Sequence, residues 1–399
     1  MGKKKIAIIN QRYGTEVNGG SEYYTRMLAE RLCRYYEVEV LTTCAEEYQT
    51  WENCYACGIE KINGVTVRRF PVAKVRNLNW FRVLSKMIRI LPVEFEWLER
   101  IWVKEQGPYA PELLDYMEER QEEYDRFLFV TYLYYLTWKG LPKVAWKSIL
   151  IPTAHQEPYI YFLIYRKIFT SPKAIIYLTE EEKKFVHQIF QNQNIPSQVI
   201  GMGIEVPKQI DPESFRKKYQ IQGEYLLYIG RIDQGKNCRQ MFEYFIRYKK
   251  EQDNRKELKL VLAGKAAMAI PEHADIIFAG YLSEQEKYNA IGGAKALWMP
   301  SEYESLSIAV LEAMALGTAI LVNGVCEVLK GHCVRCNIPG IYSDYASFRK
   351  EVEYQLQTEH TDRKKQEAKR EIEYIKANYS WNRLLFQYRQ IIEMRDEKD

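Results

Sequence analysis

The segment "KKIAIINQRYGTEVNGGSEYYTRMLAERLCRYYEVEVLTT", Lys4–Thr43, decides how this chain is read. "KKIAIIN" is a short apolar run with polar ends, which predicts a strand. Tyr24, Met27, Leu28 and Leu32 then recur at helical spacing, and "EVEVLTT" returns to a strand pattern. Ser21 is the expected N-cap of the intervening helix. Strand, helix and strand make a β-α-β unit. The loop that feeds its helix carries Gly19 and Gly20, which would let a ligand approach backbone at a helix N-terminus. No G-x-G-x-x-G occurs there, so the dinucleotide fingerprint is absent. Taken alone, the glycine pair fits a tight turn equally well.

Outward from this unit the alternation continues. "DRFLFVTYL", "KSILIPTAHQEP", "KAIIYLTEEEKKFVHQIF" and "SQVIGMGIEVP" extend a first domain over residues 1–204. Polar "KQIDPESFRKKYQIQGE" marks a linker at 205–223, with a short helix. From "YLLYIGR" the same pattern restarts and fills a second domain at 224–379. Ser380 then caps a final helix at 380–399, with apolar spacing at Leu384, Leu385, Tyr388 and Ile392. A chain of 399 residues exceeds a single core of roughly 100–200 residues. The expected fold class is therefore α/β, two doubly wound Rossmann-like parallel-sheet domains facing a central cleft.

Composition narrows the function classes. Lysine plus arginine number 57 against 53 acidic residues, too even a balance to imply a nucleic-acid partner. The apolar run "FLFVTYLYYLTW", Phe127–Trp138, would reach about 18 Å as a helix, short of the roughly 30 Å of a bilayer core. "MGKKKIAIIN" reads as a first strand and not as a secretory h-region, which points to a cytoplasmic protein. Eight cysteines include the pairs Cys54/Cys57 and Cys333/Cys336, read as reduced thiols in preference to a zinc site. "NWFRVLSKMIRILPVEFEWLERIWVK" has helical apolar spacing at Trp80, Phe81, Leu84, Met87, Ile88 and Leu91 with basic residues between them. A stripe of this kind lies on an anionic membrane surface or packs onto its own domain, and packing is the commoner outcome.

Two stretches of the second domain carry the chemistry. "YIGRIDQGKN" places Arg231 and Lys236 around a glycine-bearing turn at the end of a strand. A planar guanidinium fork and a mobile ammonium suit a diphosphate, although solvated surface cations are the plain alternative. "PSEYESLSIAVLEAMALG", Pro300–Gly317, sets Glu304 before a helix and Glu312 inside it. Ser305 and Ser307 are N-cap candidates, and Gly317 is the stop. Free N–H groups near Leu306 and Ser307, with the helix dipole, offer a phosphate seat. Carboxylates accept hydrogen bonds from sugar hydroxyls, so a nucleotide sugar fits the whole.

These two motifs, with "NGGSEYYTRMLAERL", "PTAHQEP" and "YSWNRLLFQY" in the same order, resemble the retaining family 4 glycosyltransferases (glycosyl transferases group 1), which have the GT-B fold. The resemblance spans nearly the whole chain. It implies that Arg231 and Lys236 bind a donor diphosphate, that Glu312 holds the ribose, and that Glu304 contacts the transferred sugar. Backbone at Gly19 and Gly20 would complete the phosphate site from the first domain, and His155, otherwise a structural histidine, would lie near the sugar. The final helix would cross back to the first domain. Glu105 and Glu157 are acceptor-side candidates by placement only. "GKAAMAIP" departs from the glycine-rich turn frequent in the family, which leaves base recognition open.

The implied reaction moves a sugar from a nucleoside-diphosphate donor, UDP foremost, to an acceptor hydroxyl with retention, in polysaccharide or glycolipid assembly. No cofactor is expected, and the sequence has no D-x-D to hold a metal. The expected partners are the donor, a saccharide or lipid-linked acceptor and an inner membrane surface. A nucleotide-sugar epimerase of the same fold, or a non-catalytic nucleotide-sugar binding protein, are the alternatives.

Overall fold

The computed structural model describes residues 3–17, 19–90, 95–252, 257–357 and 362–395. Leu91 of the basic stripe and the polar tail at 396–399 lie outside the described residues. The chain divides into two compact units, Met1–Met202 with Leu384–Asp399, and Gly203–Arg383.

Eight strands of the first unit are β1 (Lys5–Ile9), β2 (Glu37–Thr43), β3 (Gly58–Ile62), β4 (Val65–Phe70), β5 (Arg126–Val130), β6 (Ser148–Ile151), β7 (Ala174–Tyr177) and β8 (Ser197–Val199). They form one sheet in the order β3-β4-β2-β1-β5-β6-β7-β8. All neighbours are parallel except β3 and β4, a hairpin turned by Asn63 (φ 48°) and Gly64 (φ 85°). Positive φ at both turn residues is the geometry Asn-Gly favours. The central strands are buried on both faces, with Ile6, Ala7 and Ile8 fully covered, as helices on either side of a parallel sheet require.

The second unit contributes β9 (Tyr225–Ile229), β10 (Lys259–Ala263), β11 (Ile276–Gly280), β12 (Ala296–Met299), β13 (Ile320–Asn323) and β14 (Ile341–Tyr342). Their order is β11-β10-β9-β12-β13-β14, with parallel neighbours throughout. Trp298 anchors this core, its ring 4.4 Å from that of Phe348 and its indole N–H donated to the Tyr342 hydroxyl at 3.0 Å. In both sheets the chain builds one half, returns to the centre and builds the other. The reversal falls between β1 and β5 in the first unit and between β9 and β12 in the second. Such reversals leave a crevice at the carboxyl ends of the two central strands.

Several expectations need correction. Ser21 does not cap its helix: the helix Gly20–Leu32 starts earlier, Gly19 (φ 152°) is the N-cap, and no side chain caps it. The φ of Gly19 favours glycine, and a Cβ there would meet the Glu22 carboxylate at 2.1 Å, so that side chain would have to shift. The stretch at 205–223 does not stand apart as a linker. Its helix Pro212–Lys218, capped by Asp211, packs in the second unit, where the Asp211 N–H meets Asn289 at 2.8 Å and Arg216 meets the Gly293 carbonyl at 2.9 Å. The last helix, Trp381–Ile392, buries Leu384, Leu385, Tyr388 and Ile392. From Leu384 onward it belongs to the first unit, where the Tyr388 hydroxyl meets that of Tyr24 at 2.5 Å and donates to the Gly201 carbonyl at 2.7 Å. The two cysteine pairs lie in different units; Cys57 faces Cys44, with sulfurs 3.3 Å apart, while Cys333 and Cys336 are buried on the helix Glu327–Cys336.

Candidate active site

In each unit several of the expected residues follow the carboxyl ends of its strands. In the second unit, β9 runs into "GRIDQGKN" and the neighbouring β12 runs into "PSEYES", so sheet order places two distant motifs side by side. Lys236 Nζ meets Glu304 Oε1 at 2.6 Å. Asn237, in the left-handed region at φ 56°, repeats the link by donating to the Pro300 carbonyl at 3.2 Å. Arg231 pairs with Asp233, whose other oxygen accepts the Lys236 backbone N–H at 2.9 Å. Asp233 is thus the hinge of the basic turn. The loop after β10 closes against the same turn: a Cβ on Gly264 would stand 2.0 Å from the Gly230 carbonyl oxygen. That contact explains a glycine in "GKAAMAIP" without appeal to ligand.

Glu304 precedes the helix Ile308–Leu316, which Gly317 ends in the left-handed conformation at φ 69°. Ser307 stands at the N-cap but does not cap. It is held at φ 64°, and its buried hydroxyl has no hydrogen-bond partner. A left-handed serine costs roughly 1–2 kcal/mol, and a buried unsatisfied hydroxyl adds to the cost. Two unfavourable features at the mouth of a helix N-terminus are what a waiting anion site looks like. Behind this loop His332, fully buried, faces the Leu306 carbonyl with Nε2 at 3.1 Å and the Tyr374 hydroxyl with Nδ1 at 3.2 Å. A carbonyl only accepts, so Nε2 carries the proton. Burial and nearby Arg335 push the imidazole down to about 4, which keeps it neutral and its bond to the loop intact.

Glu312 is 3 % exposed. Its Oε1 takes the Lys287 ammonium at 2.6 Å and the Tyr288 hydroxyl at 3.1 Å, both from the helix Glu284–Gly293. Burial raises its carboxyl, while Lys287 opposes the rise. Neither partner was foreseen, because nothing local in "SEQEKYNAIGGA" signals a partner on the next helix. The two glutamates are therefore held by different lysines: Glu304 by Lys236 and Glu312 by Lys287.

In the first unit, Gly19 opens the helix after β1, and a Cβ on Gly20 would meet nothing within 4 Å, so the backbone is open there. The neighbouring Glu22 is tied to Arg12 and accepts the Gln11 amide at 3.1 Å. His155 follows β6. Its Nε2 lies 4.0 Å from Glu157, whose carboxylate takes the Tyr132 hydroxyl at 2.6 Å. Thr131 and Thr153, at the ends of β5 and β6, have φ of 74° and 51°, strained values for β-branched residues. Glu182 secures this loop from below, accepting the Ala154 N–H at 2.5 Å and the Leu178 N–H at 2.6 Å. Burial pushes its carboxyl up to about 8, against the pull of backbone N–H groups from Leu178, Ala154 and Thr179. Glu105, in the last turn of the helix Glu96–Gln106, is buried and paired with Lys74.

The family description "Glycosyl transferases group 1" matches residues 211–332, from the Asp211 cap to His332. An uncharacterized glycosyltransferase of Methanocaldococcus jannaschii is 24% identical over 358 residues, covering 82% of this chain and 83% of that one. Among solved structures, sucrose-phosphate synthase of Thermosynechococcus elongatus superposes with a TM-score of 0.70 at 14% identity, covering 98% of both chains. Anabaena HepE in complex with UDP and glucose gives 0.68 at 12% identity, covering 98% of this chain and 99% of that one. WaaG, a glycosyltransferase involved in lipopolysaccharide biosynthesis, gives 0.65 at 14%, covering 97% and 99%. The fold is GT-B, two parallel-sheet α/β domains.

Two measurements check these local features. The folded value of Glu182 lies above the ordinary glutamate value of 4.5, so its contribution to stability falls as pH rises from about 4.5 to about 8. Glu182→Gln, which cannot ionise, should show a flatter dependence of unfolding midpoint on pH across that window; the same slope in both proteins would remove Glu182 as its source. Ser307→Gly should raise stability by about 1 kcal/mol by relieving the left-handed strain. A fall in denaturant midpoint would show that Ser307 is not strained.

Proposed function

We propose that the chain transfers a sugar from a nucleoside-diphosphate donor to an acceptor hydroxyl with retention of anomeric configuration. The observation that carries this reading is the 2.6 Å pair between Lys236 and Glu304 at the carboxyl ends of β9 and β12. It sets a cation and a hydroxyl-binding carboxylate together beside a helix N-terminus with an unsatisfied serine hydroxyl. A diphosphate leaving group needs the first and the last; a transferred sugar needs the second.

Under this reading Arg231 and Lys236 take the leaving charge, in the role a divalent ion plays elsewhere. Fixed cations and helix N–H groups at Leu306 and Ser307 stabilise that charge without reorganising. Glu312 would meet the ribose hydroxyls through Oε2, since both of its named bonds fall on Oε1. Glu304, gripped by an ammonium, is a positioning group and a poor nucleophile, which favours same-face displacement in which the leaving phosphate takes the acceptor proton. Gly19, Gly20 and His155 are assigned to phosphate and sugar by their place in the family's motif order. The UDP complexes of HepE support UDP as the donor nucleotide. Glu157, flanked by Tyr132 and His155, and Glu105, paired with Lys74, are assigned to the acceptor side. A saccharide or lipid-linked acceptor at the cytoplasmic face of a membrane completes the proposal.

Incubation with a panel of UDP-, GDP- and ADP-sugars, with and without acceptors, should yield acceptor-dependent nucleoside diphosphate and no epimerised donor. Lys236→Ala or Arg231→Ala should lower turnover about 10²- to 10³-fold, the loss of a single oxyanion donor. Turnover at the original rate in either variant would contradict the diphosphate assignment.

A further inference from the structure

Spacing in the sequence pairs Cys54 with Cys57, but the structure gives Cys57 a different sulfur. Cys44 follows the last residue of β2 and is fully buried, while Cys57 stands exposed just before β3. Their sulfurs are 3.3 Å apart across 13 positions of chain. Cys54, also exposed, turns its sulfur to the Glu52 carbonyl at 3.6 Å.

Backbone on both sides imposes this contact. β4 lies between β2 and β3 in the sheet, and the Cys44 N–H donates to the Phe70 carbonyl at the end of β4 at 2.9 Å. Gly58, next to Cys57, registers with Arg69 on the same strand. The segment between the two cysteines doubles back, so that the Cys44 carbonyl accepts the Cys54 and Tyr55 N–H groups at 2.8 and 2.9 Å. Asn53 fixes the return with two bonds to the Val72 backbone, at 2.9 and 3.0 Å. Trp51, buried at φ 61°, donates its indole N–H to the Gln106 carbonyl at 2.7 Å. A bulky residue keeps left-handed backbone only where its surroundings hold it. The two thiols are therefore brought together by the fold and lose little freedom on bonding.

The same segment supports the loop that leads to Gly19. The Glu46 carbonyl accepts Arg12 Nη1 at 2.7 Å, and Arg12 is paired with Glu22 on the helix Gly20–Leu32. The Tyr55 ring stands 4.0 Å from the Arg69 guanidinium, which donates to the Tyr13 carbonyl at 2.8 Å.

We propose that Cys44 and Cys57 are a dithiol site for a small-molecule disulfide of the glutathione class, which oxidises the pair to an intramolecular disulfide and clamps segment 45–56 to the strands flanking β4. Cys57, the sulfur that solvent reaches, attacks the small disulfide, forms a mixed disulfide and releases one glutathione. Cys44 then attacks Cys57 Sγ and expels the second glutathione, its proton passing to the departing thiolate. Two electrons leave the pair and reduce one glutathione disulfide to two glutathiones. Burial, with the hydrogen bond to Cys57 adding to it, pushes the Cys44 thiol up to about 12, so Cys44 stays protonated and reacts only with what Cys57 carries.

Incubating the reduced full-length protein with glutathione disulfide tests this directly, because cleavage after Glu52 and Tyr55 puts the three cysteines on separate peptides. Mass spectrometry should find the Cys44 and Cys57 peptides joined with loss of two hydrogens, and dithiothreitol should part them. Amide exchange over residues 45–56 should slow in the oxidised protein. Cys54→Ser should close the same bond. Cys44→Ser should stop with glutathione on Cys57, and Cys57→Ser, an exposed change, should leave Cys44 a free thiol. A link between Cys54 and Cys57, a glutathionyl group retained on Cys57 of the original protein, or a Cys44 that stays free there overturns the proposal. So does a bond that forms without slowing exchange over the segment, since nothing would then be clamped.

Discussion

Lys236 and Glu304 are 68 positions apart in the chain, and their contact is the constraint from which the second unit is best understood. It exists because β9 and β12 are neighbours, and they are neighbours because the sheet is built outward from β9 and then resumed on its other side. A sequential sheet would have separated the two loops. The partly exposed ammonium and the mostly buried carboxylate hold each other where we propose that a diphosphate and a sugar meet, and Asp233 and Asn237 fix the basic turn on which the pair depends. Charges paired in this way can be handed to a ligand without crossing the cost of a bare buried ion.

The unsatisfied features cluster around that pair. Ser307 bears left-handed backbone and a hydroxyl with no partner, and His332 holds the carbonyl just before it. The first unit shows a parallel pattern, with strained Thr131 and Thr153 at strand ends and buried Glu182 beneath the His155 loop. In both units a neutral or nearly neutral buried group braces a strained loop by bonding its backbone. Such bracing explains how a loop can keep an unfavourable conformation open for a ligand.

Much of this was legible in the sequence, and the parts that were not share a cause. Strands and helices announce themselves locally: "KIAII" and "YLLYI" are runs that only a buried parallel sheet accommodates, and both became central strands. The hairpin of β3 and β4 had a local signal as well, Asn63-Gly64, which the strand alternation overshadowed. Ser21 misled because capping preference is a statement about side chains, whereas the turn uses backbone at φ 152°, which Gly19 adopts freely. Lys287, Tyr288 and His332 carry no local mark at all. Their roles come from the packing of helices around the sheet, which spacing does not encode. The stripe at Trp80 packs only in part: Leu84 is buried and Phe81 and Ile88 pack against the core, while Trp80, Val83, Met87 and Ile90 are exposed.

The most direct measurement is a crystal structure with UDP bound. The account predicts diphosphate oxygens within about 3 Å of Lys236 Nζ and the Ser307 hydroxyl, at the start of the helix Ile308–Leu316. A diphosphate bound elsewhere, with Lys236 still closed on Glu304 and Ser307 still without a partner, would contradict it.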